Sequence, residues 1–124
     1  MHGQAVRLEA VTVTTINPMI FDALAFLSKQ AYEDAKVHGL WDDVNVCRSL
    51  RTEDVVRRRC TLLVREEVCE MYEAAKDPVH FAEEMADVVI MCMSAAGHLG
   101  IDLAAEIRRK MEINQKRPFR HQAG

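Results

Sequence analysis

Pro18, Pro78 and Pro118 constrain this chain more than any other feature, because between the first and the last of them little else breaks a helix. Pro18 and Pro78 follow Asn17 and Asp77, residues that cap helices well, and proline suits the first helical position because its missing N–H would have no partner there. After Asn17-Pro18, Ile20, Leu24, Leu27, Ala31 and Ala35 recur at helical spacing up to Gly39. Residues 40–51 read as a connecting loop. A second helix takes Thr52 as its cap and runs to about Lys76 with no glycine or proline inside it. Asp77-Pro78 opens a third, lasting to about Gly97. A turn from Gly97 to Gly100 leads to Asp102, which caps a fourth helix ending before Pro118. The predicted fold is all-α, a four-helix bundle over residues 17–121. A short extended segment, residues 1–16, precedes it, with Val6, Leu8, Val11 and Val13 spaced as in a strand.

The 124 residues fit one domain. A net charge of -3 offers no general attraction for nucleic acid, and Arg57-Arg58-Arg59 reads as a solvated or subunit-facing stretch. Cys47, Cys60, Cys69 and Cys92 form no CxxC pair, so reduced, mostly buried thiols and an intracellular setting are expected. The apolar run 88–96 is too short to span a bilayer and no signal-peptide pattern opens the chain. The expectation is a cytoplasmic protein without membrane or nucleic-acid partners.

The chemistry concentrates on two helices. A 3-4 spacing on the second helix puts Val56, Cys60, Leu63, Glu67, Glu70 and Ala74 on one stripe, so two carboxylates interrupt an apolar seam. On the third, Phe81, Met85, Val88, Cys92, Ala95 and Leu99 form an apolar stripe. Beside it lies a polar one with His80, Glu84, Asp87, Met91, Ser94 and His98. If the two helices fold back around Asp77, Glu70 comes level with Glu84, and Glu67 with Asp87. Helix axes about 8–10 Å apart let four such carboxyls converge on a small cation. Glu66 with Glu70, and Glu83 with Asp87, are like-charge pairs at i, i+4, each costing roughly 0.2–0.5 kcal/mol without a counter-ion. Magnesium, with manganese as a substitute, suits oxygen ligands and leaves positions for water and phosphates. The bland alternative is a solvated acidic face.

Glu66-Glu67-Val68-Cys69-Glu70 followed by Glu84-Met85-Ala86-Asp87 resembles the EExxE and ExxD pair of the MazG-like nucleotide pyrophosphohydrolases, of the all-alpha NTP pyrophosphatase superfamily. Lys110, Asn114, Arg117-Pro118 and His121 match a KxxxNxxRPxxH tail, and the resemblance extends from about Ile20 to His121, including Gly39-Leu40-Trp41. It implies a magnesium-dependent enzyme that converts nucleoside triphosphates to monophosphate and pyrophosphate, in nucleotide-pool housekeeping, as a homodimer or homotetramer. It also implies Glu67, Glu70, Glu84 and Asp87 as metal ligands, and Lys110 and Asn114 near the nucleotide phosphates or sugar.

Glu66, beside the first ligand, either flanks the site as general base or is a surface residue. Lys110, Asn114 and Arg117 share a face of the fourth helix, and counting back through the Gly100 turn brings Asn114 near the level of Asp87. Without the resemblance they would read as a salt-bridge lattice facing the acids; with it, phosphate contact is the expectation. Trp41 stands to stack on a base, to pack in the core or to form a subunit contact. His38 stands to reach a base edge or to act as a helix C-terminal dipole partner. A ferritin-like di-iron site would need Glu-x-x-His pairs, which the chain lacks. The remaining rival is a non-enzymatic helical interaction module that keeps the fold and assembles through its apolar third helix.

Overall fold

The structure, a computed structural model, describes residues 13–42 and 52–117. They form a 3-10 turn, Val13–Thr15, and four helices: α1 (Pro18–Val37), α2 (Glu53–Glu73), α3 (Pro78–Leu99) and α4 (Leu103–Gln115). The helix α3 is central, packing against both α1 and α2, while α4 packs chiefly on α1 and on the 3-10 turn. The expectations that concern residues 1–12 and 43–51, Cys47, Pro118 and His121 lie outside the described residues.

Three of the four predicted caps form as expected. Asn17 accepts from the Met19 N–H at 3.0 Å, Asp77 from Val79 at 3.0 Å and His80 at 3.3 Å, and Asp102 from Ala105 at 3.1 Å. Each satisfies N–H groups that the first helical turn cannot pair. Thr52 holds the cap position of α2, but its hydroxyl donates to the Asp54 carboxylate instead. The helix α2 also stops at Glu73, short of Lys76. The residue before a proline is pushed out of helical geometry, and residues 74–77 close into tight turns with Ala75 N–H on Tyr72 and Asp77 N–H on Ala74.

Two expectations are corrected. Val13–Thr15 is a 3-10 turn rather than a strand-like piece: Val13 is 1% exposed and its N–H faces the Gln115 side chain of α4 at 3.5 Å, with no strand among the described residues to pair with. Gly97 does not end α3. A Cβ there would sit 2.4 Å from the Tyr32 Cβ, so Gly97 serves the close approach of α1 to α3, and Gly100, at φ 69°, makes the left-handed cap.

The core gathers Trp41, Val56, Cys60 and Ala95, with Tyr32, Ala35, Leu40, Leu63 and Leu99 packed around it. It lies where the first half of α2 meets the second half of α3. The hairpin is therefore apolar at its open end and acidic toward its turn. Among the described residues no single helix is long and apolar enough to cross a membrane.

Candidate metal centre

The seam of α2 follows the predicted stripe. Val56, Cys60 and Ala74 are buried and Leu63 packs on the core. Glu67 occupies the same stripe and is half-buried, because the α-helical repeat of 3.6 residues keeps it in line. Glu70 lies on the seam's flank and is exposed.

Across the hairpin, α3 presents Glu84 and Asp87 one turn apart. One carboxylate oxygen from each of Glu67, Glu84 and Asp87 lies within 4.8 Å of the others. The four-residue connection sets this register, as the count of residues from Asp77 anticipates. Glu84 meets His80 Nε2 through Oε1 at 3.0 Å, whereas its Oε2 is buried with no hydrogen-bond partner. Buried carboxylate oxygens are almost always paired, so an orphaned one among acids points to a missing donor or cation.

The Glu67 carboxyl is held above its ordinary range. Burial is the largest cause, followed by the charges of Glu70 and Asp87, a hydrogen bond shared with Glu70 and the charge of Glu84. Glu70 thus belongs to the cluster electrostatically although its oxygens do not converge with the other three. A divalent cation would reverse each of these penalties at once, since it favours the ionised form of every ligand. The residues fit such an ion: three oxygen donors from two rigid helices, one donor atom without a partner, and a histidine on a ligand carboxylate in the manner of an outer-shell support.

The other expected site residues lie elsewhere. Glu66 is exposed on the outer face of α2, in a shallow depression with Arg59, Arg65 and Glu70. Trp41 is corrected from base-stacking to core: it is 0% exposed, stacks on His98 at 4.4 Å and 6°, and donates through Nε1 to the Ser94 hydroxyl at 2.9 Å, leaving no ring face for a nucleotide. His38 caps α1 with Nδ1 2.7 Å from the Asp34 carbonyl, the dipole-partner arrangement. Lys110, Asn114 and Arg117 are exposed on or just after α4. The chain bends by 114° between α3 and α4, and α4 lies on α1, with the Arg108 guanidinium 5.2 Å from the Phe21 ring centre. A helix leaving at that angle does not run back along α3, so the single chain does not bring these three to the acids.

The sequence reading missed His80 as a neighbour of the site. Its signal was present, since His80 and Glu84 are four apart on one helix and must meet. No protein family, curated protein or solved structure matches the chain, and the functional reading rests on residues and geometry.

Proposed function

We propose that this protein is a magnesium-dependent hydrolase of nucleoside triphosphates, releasing monophosphate and pyrophosphate. The observation that carries the proposal is the convergence of Glu67, Glu84 and Asp87, with one carboxylate oxygen of Glu84 buried and without a hydrogen-bond partner. That geometry argues for a divalent cation. The choice of substrate rests on the EExxE and ExxD pair, for which the α2–α3 hairpin supplies the facing positions the chemistry needs.

Glu67, Glu84 and Asp87 would hold the metal, with Glu70 completing the set by a change of rotamer. Bound magnesium would neutralise charge on the phosphate oxygens as bonds change. The chain's own role is to fix the acids on two packed helices and to exclude alternatives by register. Glu66, beside Glu67 in the chain and exposed on α2, would take the proton of the attacking water by turning toward the seam. The new bond joins the water oxygen to the α-phosphorus, and the bond that breaks links the α-phosphorus to the bridging oxygen, which leaves with pyrophosphate.

A pyrophosphate-release screen over standard and modified nucleoside triphosphates, with and without magnesium, tests this. In oxygen-18 water the label should enter the monophosphate; label in pyrophosphate, or free phosphate as product, would overturn the bond assignment. A second reading, a non-enzymatic interaction module, is favoured by the exposed apolar residues on α1 and α3. It predicts no turnover across the panel and no effect of metal.

A further inference from the structure

The arginines of α2 are of two kinds. Asp54 lies one turn before both Arg57 and Arg58, and its carboxylate is 3.8 Å from the Arg58 guanidinium. One turn from Arg59 stand only Val55, Val56, Leu62 and Leu63, and one turn from Arg65 only Thr61, Leu62, Val68 and Cys69. Both are exposed, and neither has an ion pair among the described residues. These two guanidinium groups line one depression of about 560 Å³ on the outer flank of α2, together with Glu66, Cys69, Glu70 and Glu73. Glu70 is one turn from Glu67, so the depression opens beside the carboxylate cluster.

We infer that Arg59, with Arg65 beside it, holds the two terminal phosphates of the substrate, the half that leaves as pyrophosphate. A phosphate chain needs cations besides the metal, and Lys110 and Arg117 do not come to the acids within the chain. Arg59, Glu66 and Glu70 are spaced i, i+7 and i+11 and share one face of α2. Seven residues of helix rise about 10 Å, a separation that an arginine side chain and a short run of bridged phosphates span together. Guanidinium groups take phosphate oxygens two at a time. A monophosphate held at the metal by its only phosphorus would leave that contact unmade, so the subsite selects by the number of phosphates and not by the base.

The inference rests on the hydrolase reading and adds an order of binding to it. Glu66, Glu70 and Glu73 lie in the same depression and repel a phosphate chain. A divalent cation at the neighbouring cluster offsets that repulsion, so metal binds first and the terminal phosphates follow.

Titration calorimetry of the whole chain with inorganic tripolyphosphate should show binding in magnesium and none without it. Arg59→Gln should weaken that binding about 10-fold, and the double variant Arg59→Gln with Arg65→Gln about 100-fold, while affinity for magnesium alone stays unchanged. Arg58→Gln removes the same charge from a paired arginine of the same helix and should change nothing. Cys69, exposed in the depression, supplies a readout separate from turnover: its alkylation should slow when magnesium and tripolyphosphate are present together, and this protection should be lost in the double variant. With a nucleoside triphosphate as substrate, Arg59→Gln should raise KM about 10-fold with kcat little altered. Absence of tripolyphosphate binding overturns the inference, as does binding that survives in the double variant or falls equally in Arg58→Gln. Tripolyphosphate binding that depends on Arg59, in a protein that releases no pyrophosphate from any nucleotide, would count against the hydrolase alone.

Discussion

Burial at Glu67 acts against ionisation, and three neighbouring acids act the same way, so this carboxyl is strained when ionised in the metal-free cluster. Its folded value is raised above the ordinary 4.5 that the unfolded chain keeps. The contribution to stability is therefore fully present below about pH 4.5 and is lost as pH rises through the folded value. Glu67→Gln should remove that loss. In metal-free buffer the variant should melt higher than the unmodified protein at pH 7, and the difference should shrink as pH falls toward 4.5. Equal melting temperatures for the two at pH 7 would contradict the assignment of strain to Glu67. The adjacent Glu66 is separable from it, because it faces outward: Glu66→Gln should keep metal affinity and lose roughly 10²- to 10⁴-fold in turnover if it takes the proton. Isothermal titration of both variants with magnesium distinguishes the roles, since equal losses of affinity would make Glu66 a ligand.

Elements here are held by caps, by one close approach and by a short connection, and these differ in how far they can be read from sequence. Caps depend on residues adjacent in the chain, so Asn17, Asp77 and Asp102 are legible. The carboxylate register is also legible, because a four-residue turn between two long helices leaves few ways to pair Glu67 with Glu84 and Asp87. What α4 does after Gly100 is not, since its direction follows from packing on α1, distant in sequence, and the chain bends by 114° there; counting residues assumes a straight return and misplaces Lys110 and Asn114. Trp41 escapes for a related reason, as its core role depends on His98 and Ser94, more than fifty residues away. Gly97 is the instructive case within α3. Alanine usually stabilises a helix interior by about 0.5–1 kcal/mol over glycine, but a Cβ 2.4 Å from the Tyr32 Cβ must push apart a pair of helices that cannot rotate out of the way. Overpacking of that kind costs about 1–3 kcal/mol, so Gly97→Ala should be a net loss. Urea denaturation followed by Trp41 fluorescence reads it, and a variant as stable as its parent would show that α1 and α3 are less closely packed than this contact requires.

Stability of the whole molecule and occupancy of the acid cluster are one linked equilibrium, because the cluster exists only when α2 and α3 are paired. Three acids from two helices cannot be assembled by the unfolded chain, so a divalent cation binds the native state almost alone and stabilises it by mass action. At a magnesium concentration about 100 times its dissociation constant the gain is about 2.7 kcal/mol. For a chain of this size each kcal/mol moves the midpoint by a few degrees, so thermal unfolding should shift upward by about 10 °C. Manganese should act similarly, since it also accepts an oxygen donor set. Asp87→Asn keeps the shape of the side chain and removes its charge, and it should abolish the shift while leaving the metal-free midpoint unchanged or higher, because one repulsion within the cluster is gone. A control at the far end of the hairpin, such as Thr61→Ala, should preserve the full shift. If scanning calorimetry finds the same magnesium response in Asp87→Asn as in the parent, the cation binds elsewhere and the cluster is only an acidic seam.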